Sequence, residues 1–287
     1  MQRTRWRWIL TGAIGMVLLA LGVAPAWWVG GHESIVEAAA MQLPEEMPAF
    51  FRNGGKALAH FAGDPDRWKN RKAEFLKPIE EPNHYLDLED LEGKDLPKNR
   101  FKGMDLMKEL KKDPAKVGML PYSILEGMDR LTSAFADYRR SPENPAIPMK
   151  CLVYAGWMAH YTTDTTMPLH TTIHFDGKRQ PDGTILQKGI HAKIDGFPEK
   201  FGITPEEITR GLKAKNVDDP WNYVRETILA SHAKIPQSYD FDVAKAFDNP
   251  TPESRKFILE RCQAGAQFTM DIWYTAWMRS ADWPKPW

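Results

Sequence analysis

The last long stretch of the chain, residues 252–278, has the periodicity of an α-helix. Thr251, followed by Pro252 and Glu253, is typical of a capped helix start with proline in the first helical position. The apolar residues that follow recur at steps of four or three, which places them on one helical face: Ile258, Cys262, Ala266, Met270, Trp273 and Trp277. Because strict alternation of apolar and polar residues is scarce elsewhere, the sequence predicts an all-α fold.

The same criteria predict a series of helices along the chain. They cover residues 32–41, 48–62, 66–75, 122–138, 149–163, 204–214, 221–233 and 252–278. Residues 78–121 are polar and broken, which predicts a long loop with one short helix, and residues 171–183 predict a second loop. With 287 residues, 43% of them hydrophobic, the chain suits a single helical domain with long loops.

The N-terminus has the pattern of a secretory signal peptide. Arg3, Arg5 and Arg7 precede an apolar run over residues 9–23, which ends in Ala24-Pro25-Ala26. We therefore predict a signal peptide over residues 1–26, cleavage between Ala26 and Trp27, and a functional domain over residues 27–287. The protein would then be exported to the periplasm or the medium. An uncleaved membrane anchor is the alternative, although the run is short for a stable span.

Charge and cysteine content exclude some partners and ligands. Cleavage would remove three arginines and no acidic residue from a chain of formal net charge zero, leaving −3. A chain of that charge has no strong basic surface for binding duplex nucleic acid nonspecifically. Cys151 and Cys262 are the two cysteines, and they either pair or remain as buried free thiols. Any metal must therefore be held mainly by histidine and aspartate.

The stretch HYTTDTTMPLH, residues 160–170, combines ligand-type side chains at short spacing. His160 and Asp164 are four residues apart and would share one helical face, whereas His170 would follow the turn that Pro168 starts. Imidazole and carboxylate groups arranged in this way suit zinc. The alternative is a core histidine hydrogen-bonded to an aspartate. The H-x-x-x-D spacing also occurs at His60/Asp64 and His191/Asp195.

Further candidate ligands lie nearer the N-terminus. Signal cleavage would give Trp27 a free amine, which is a good metal ligand once deprotonated, and His32 follows five residues later. Asp66 lies in AGDPDRWK, close to Asp64, and His84 lies in EPNHYLDLEDL.

Taken in order, these motifs resemble the zinc-dependent phospholipase C and single-strand nuclease superfamily. The set runs through Trp27-x-x-x-Gly31-His32, Pro65-Asp66, His84-Tyr85, His160-x3-Asp164-x5-His170 and His191-x3-Asp195. The resemblance implies an all-helical, secreted enzyme with three zinc ions in a cleft between helices.

By the same resemblance, each ligand has an expected ion. One zinc would be held by Asp66, His84, His160 and Asp164, a second by His170, His191 and Asp195, and the third by the amine and carbonyl of Trp27 with His32. Asp164 would bridge the first and third ions. Asp66, chosen over Asp64 because it follows proline and precedes Arg-Trp-Lys, would also act as general base toward a zinc-activated water.

Two departures from the nuclease pattern favour the bacterial phospholipase C branch. The nucleases usually have Gly-Gly-Asn before the histidine that matches His191 and tryptophan before the aspartate, whereas this chain has Lys188-Gly189-Ile190 and Ile194. We therefore expect a phospholipid substrate, which allows transient contact with a membrane surface. A nuclease acting on single-stranded DNA or RNA is one alternative. A non-enzymatic zinc-binding interaction protein is the other.

Overall fold

The computed structural model describes residues 27–285, within which the chain forms fifteen α-helices. They are α1 (Val29–Met41), α2 (Ala49–Arg52), α3 (Gly55–Ala62), α4 (Asp64–Trp68), α5 (Lys77–Glu80), α6 (Arg100–Glu109), α7 (Pro114–Val117), α8 (Leu120–Arg140), α9 (Ala146–Asp164), α10 (Ile190–Asp195), α11 (Phe197–Lys200), α12 (Pro205–Ile208), α13 (Pro220–His232), α14 (Ile235–Val243) and α15 (Pro252–Arg279). Short 3₁₀ helices span Glu81–His84, Leu88–Leu91 and Pro168–Thr171.

The described residues contain only a minimal sheet. Strands β1 (Lys178–Arg179) and β2 (Ile185–Leu186) form an antiparallel hairpin, with Lys178 opposite Leu186. Strand β1 lies within the second predicted loop, residues 171–183, and β2 lies just beyond its end; the four strand residues are exposed. The prediction of an all-α fold is confirmed.

The core lies between the long helices. Helices α8, α9 and α15 pack against one another, and α1 and α3 cover the adjoining faces of α9 and α15. Trp273 of α15 is fully buried: its indole nitrogen donates to the Ala155 carbonyl at 3.2 Å, and its ring meets that of Phe51 edge-on at 5.4 Å. Burying a large aromatic side chain contributes about 2–3 kcal/mol, so these contacts fix α15 against α9.

Some predicted helices end early or are divided. The helix expected over residues 48–62 is two helices, α2 and α3, because the chain breaks at Asn53-Gly54. A Cβ at Gly54 would lie 2.6 Å from Leu152 Cδ2 of α9, so the break allows a close approach. The helix expected over residues 66–75 begins at Asp64 and ends at Trp68, and turns follow it.

The helix expected over residues 204–214 also ends early, at Ile208, although its capping box at Thr204 and Glu207 forms. Beyond it the chain runs along α15, where side chains accept its backbone N–H groups: Lys215 donates to Asp271 at 2.9 Å and Val217 donates to Thr275 at 2.9 Å. Within the expected span, Lys213 likewise donates to Gln267 Oε1 of α15 at 3.2 Å, so bonds to α15 replace helical ones. The sequence reading omitted α10, α11 and α14, and residues 78–121 contain two complete α-helices, α6 and α7, where one short helix was expected.

The predicted signal peptide over residues 1–26 lies outside the described residues. None of the helices described between residues 27 and 285 is long and apolar enough to cross a membrane. Cys151 and Cys262 are both buried free thiols. Of the two alternatives, a disulfide or two free thiols, the structure has the free thiols.

Candidate metal centre

The C-terminal end of α9 supplies the middle of the candidate site. His160 and Asp164 stand one turn apart on the same face, with His160 Nε2 3.3 Å from Asp164 Oδ2, and both side chains are fully buried. The other ring nitrogen, His160 Nδ1, lies 2.7 Å from the Ala62 carbonyl at the end of α3. That hydrogen bond assigns the proton to Nδ1 and leaves Nε2 as the free ligand atom.

The 3₁₀ helix Pro168–Thr171 brings His170 beside this turn. Its Nδ1 lies 2.7 Å from the His84 carbonyl, and its ring stacks on that of His191 with 5.1 Å between centroids. His191 and Asp195 stand one turn apart on α10, with Nε2 3.0 Å from Asp195 Oδ2. The three side chains, which come from two elements, therefore face one small volume.

Helix α1 approaches the centre from the other side. The ring of His32 stacks on that of His160 at 4.0 Å, its Nδ1 lies 2.5 Å from Thr163 Oγ1, and its Nε2 lies 3.5 Å from Asp164 Oδ1. Trp27 is fully buried, and its indole nitrogen donates to the Thr163 carbonyl at 3.2 Å. The residue that signal cleavage would leave first thus lies against the same turn of α9. Its role as a ligand stays a prediction.

Asp66 and His84 complete the set. His84 Nδ1 lies 3.1 Å from Asp164 Oδ2 and 2.8 Å from His160 Nε2. Asp66 Oδ1 lies 3.8 Å from His160 Nε2 and 2.7 Å from the Lys69 amine. Asp64, the alternative ligand, instead pairs with Arg67 at 2.8 Å. The geometry therefore brings Asp66, and not Asp64, to the cluster.

The described residues form three groups whose ligand atoms lie within 4.8 Å of one another. They are His32/His160/Asp164, Asp66/His84/His160 and His170/His191/Asp195. Every predicted ligand except Trp27 belongs to one of them. His60, which the H-x-x-x-D pattern also matched, is exposed and lies in none of the groups.

The ligand atoms fit metal ions because several of them are buried without a hydrogen bond. Nε2 of His32 and His170, Oδ2 of Asp66, Oδ1 of Asp164 and Oδ1 of Asp195 lack a hydrogen-bond partner within the described part of the chain, whereas Asp66 Oδ1 contacts Lys69 and Asp195 Oδ2 contacts His191. An unsatisfied buried polar atom costs about 1–3 kcal/mol. The Nδ1 atoms of the same histidines face a hydroxyl or carbonyl oxygen, which is how metal-binding imidazoles are oriented.

Burial controls the protonation of the centre. It lowers the pKa of His32 to about 3 and that of His160 to about 4, so both imidazoles are neutral at pH 7. It raises the pKa of Asp164 to about 8 and that of Asp195 to about 6. Burial acts in the same upward direction on Asp66, but the neighbouring His160 and Lys69 hold its pKa below the usual range. A bound cation would favour the anionic form of all three carboxylates.

The sequence reading missed two residues that contact the ligands. Glu80 is buried, with Oε1 3.4 Å from His84 Nε2, and the Tyr161 hydroxyl donates to the same carboxylate. Lys69 Nζ lies 3.5 Å from His84 Nδ1 in addition to its pair with Asp66. The four-residue spacing of Glu80 and His84 was the available signal. His174 and His232 lie in none of the three groups.

Comparisons with known proteins give matches among solved structures alone. No protein-family model and no curated protein matches the sequence. Among solved structures, the fold is similar to that of Clostridium perfringens alpha-toxin from avian strain SWCP, with a TM-score of 0.48 and 15% identity. The match covers 88% of this chain and 64% of the alpha-toxin chain, so this chain spans less than two thirds of the toxin's length.

Proposed function

We propose that this protein is a zinc-dependent hydrolase of phosphodiester bonds, of phospholipase C type. The observation that carries the proposal is that eight predicted ligands converge in a buried cluster, where several imidazole nitrogens and carboxylate oxygens form no hydrogen bond. Oxygen and neutral imidazole donors suit zinc, and the order of the ligands along the chain is the one that resembles the superfamily. We further propose that the protein works outside the cytoplasm, because residues 1–26 have the signal-peptide pattern.

The residues of the centre would divide into three sets. Asp66, His84, His160 and Asp164 would hold one ion, His170, His191 and Asp195 a second, and His32 with the amine and carbonyl of Trp27 a third. When bound, zinc would supply a water that ionises near neutral pH and positive charge opposite the phosphate oxygens.

The chain's own groups would orient these ligands and handle the proton. The Ala62 and His84 carbonyls fix the rings of His160 and His170, so each presents Nε2 to the cluster. Asp66 is our candidate for the group that takes the proton from the attacking water. Because Lys69 lies 2.7 Å from its carboxylate and lowers its pKa, Asp66 would hold that proton only weakly and release it quickly.

The test pairs metal content with initial rates. Wild type, His160→Ala and His60→Ala would be analysed for bound zinc and assayed on short-chain phosphatidylcholine and on single-stranded RNA. We expect zinc and lipid hydrolysis in the wild type and in His60→Ala, and loss of both in His160→Ala. Faster turnover of RNA would establish the nuclease instead. Zinc bound without turnover of either substrate would favour the interaction protein.

A further inference from the structure

The segment from Lys69 to Glu80, here called the loop, consists of turns followed by the single-turn helix α5, and its two ends meet at His84. At its start the Lys69 amine lies 3.5 Å from His84 Nδ1, and at its end Glu80 Oε1 lies 3.4 Å from His84 Nε2. Both end residues are buried or half-buried. The residues between them must therefore leave the candidate metal centre and return to it, so the loop lies at the edge of the site.

The loop exposes large apolar side chains. Phe75 is 84% exposed, Ile79 is 68% exposed and Leu76 is 40% exposed. Single exposed apolar residues are ordinary, but three large ones within five positions concentrate apolar surface in one short segment, which is a mark of an interaction site. Burying them against another apolar phase is favourable, at about 25 cal/mol for each Å² removed from water.

The same loop is basic. Lys69, Arg71, Lys72 and Lys77 oppose the single acidic residue Glu74 between positions 69 and 79, in a chain whose formal net charge is zero. Arg71 and Lys72 are exposed, and neither forms an ion pair with any carboxylate in the described part of the chain. This combination of apolar side chains with free cations is complementary to an anionic surface that has an apolar interior.

We propose that Arg71, Lys72, Phe75, Leu76 and Ile79, here called the rim surface, dock onto the face of an anionic lipid bilayer. Phe75 and Ile79 enter the boundary between head groups and acyl chains, while Arg71 and Lys72 contact the lipid phosphates. The inference rests on the proposed function, because both ends of this segment contact His84 and docking there would bring that side of the metal centre toward the membrane, where a phospholipid substrate lies.

The test uses a fluorophore at one position of the full chain. Because Cys151 and Cys262 are fully buried, a new cysteine at position 75 can be labelled selectively with an environment-sensitive dye. Met149→Cys is the matched control, since Met149 is 66% exposed and lies three turns from His160 on α9, about 16 Å along the helix axis. The N-terminal apolar run is common to both proteins and cannot produce a difference between them.

When vesicles containing phosphatidylglycerol are added, the emission of the dye on Phe75→Cys should shift to the blue and be quenched by brominated lipid. The emission of the dye on Met149→Cys should not change. Adding Arg71→Glu and Lys72→Glu should weaken the response at least about tenfold, and Lys213→Glu, an exposed lysine elsewhere, should leave it unchanged. Equal responses at positions 75 and 149, no response at 75, or a response to single-stranded RNA in place of vesicles would overturn the proposal.

Hydrolysis of monomeric short-chain phosphatidylcholine by the Met149→Cys protein tests the proposed function separately, because that substrate needs no membrane. Turnover without insertion at position 75 would support the proposed hydrolase activity and overturn the proposed docking surface. Insertion without turnover would support the docking surface and contradict the proposed hydrolase activity.

Discussion

Glu80 lies behind His84 relative to the metal centre. Its Oε1 is 3.4 Å from His84 Nε2, while His84 Nδ1, on the opposite edge of the ring, is 3.1 Å from Asp164 Oδ2. The hydroxyl of Tyr161 donates to the same carboxylate. The contact between Glu80 and His84 does not have hydrogen-bond geometry in this structure, but a carboxylate beside a metal-binding imidazole is the usual group that fixes its tautomer and orientation when the metal binds.

Replacing Glu80 should therefore weaken zinc binding without unfolding the protein. We expect Glu80→Gln to lower zinc affinity by about 10–100-fold, measured by competition with a chromophoric chelator. Glu81→Gln is the matched control, because Glu81 is the next residue along and pairs with Lys77 at 3.9 Å instead. Equal affinities for both variants would show that Glu80 does not orient His84.

The sequence predicted which candidate ligands share a helical face better than it predicted where the helices end. The spacing of His160 and Asp164, and that of His191 and Asp195, depends only on the helical repeat, so these pairs could be read without knowing the fold. The contact between His84 and Asp164, which are 80 residues apart, comes from packing and has no local signal. The ordered motifs supplied that link only through their resemblance to a family.

The errors in the helices have a tertiary cause. Residues 204–214 have a good helix start, but beyond Ile208 the backbone bonds to Asp271 and Thr275 of α15. The partners of those N–H groups lie more than fifty residues away, so local propensity does not reveal them. Glu80 had a local signal in its four-residue spacing from His84, but its contact with Tyr161 comes from packing and has none.

We expect Asp164 to contribute to the binding of more than one zinc ion. Its Oδ1 lies 3.5 Å from His32 Nε2 and its Oδ2 lies 3.1 Å from His84 Nδ1, so the two oxygens face different ligand groups. Asp195 belongs to a single group, that of His170 and His191, and its Oδ2 lies 3.0 Å from His191 Nε2. We expect Asp164→Asn to reduce bound zinc more than Asp195→Asn does, as measured by elemental analysis after dialysis.

The same pair of variants can be compared by thermal unfolding. Zinc at one hundred times its dissociation constant stabilises a folded protein by about 2.7 kcal/mol per site. The rise in Tm on adding zinc should therefore be smallest for Asp164→Asn. Identical zinc content and identical Tm increments in the two variants would contradict a shared role for Asp164.

Asp87 gives the fold a pH dependence outside the metal ligands. Its side chain is 9% exposed, and burial, helped by the nearby Glu89, raises its pKa to about 8. An aspartate in the unfolded chain has a pKa of about 3.9, so the native state binds this proton more tightly. The resulting stabilisation is complete below about pH 4 and is lost as the pH rises toward about 8.

Asparagine at position 87 is neutral at every pH, so an Asp87→Asn protein does not lose this stability as the pH rises. We expect Asp87→Asn to be more stable than wild type at about pH 8.5 by roughly 1–3 kcal/mol, and to differ little from it near pH 4. Urea unfolding at the two pH values measures the difference. Asp105→Asn, at an exposed position on α6, is the control and should show the wild-type pH dependence.

The crossing of α3 and α9 connects the fold to the metal centre. A Cβ at Gly156 would lie 2.9 Å from the Leu58 carbonyl and closer still to Phe61 Cβ, so the two helices can approach only because Gly156 has no side chain. One turn further along α9, His160 donates to the Ala62 carbonyl at the end of α3. Separating the helices would lengthen that hydrogen bond and release the ring of His160.

Gly156→Ala should therefore lose both stability and zinc affinity. Overpacking of this kind costs about 1–3 kcal/mol, and a freed imidazole is a poorer ligand. Gly55→Ala is the matched control, because a Cβ there would lie 3.4 Å from Ala40 Cβ in a helix that tolerates alanine; it should be neutral or stabilising by up to about 1 kcal/mol. Urea unfolding of the zinc-free proteins and chelator competition measure the two effects separately. If Gly156→Ala lowered stability but kept wild-type zinc affinity, the ring of His160 would be held by its metal neighbours and not by the approach of α3.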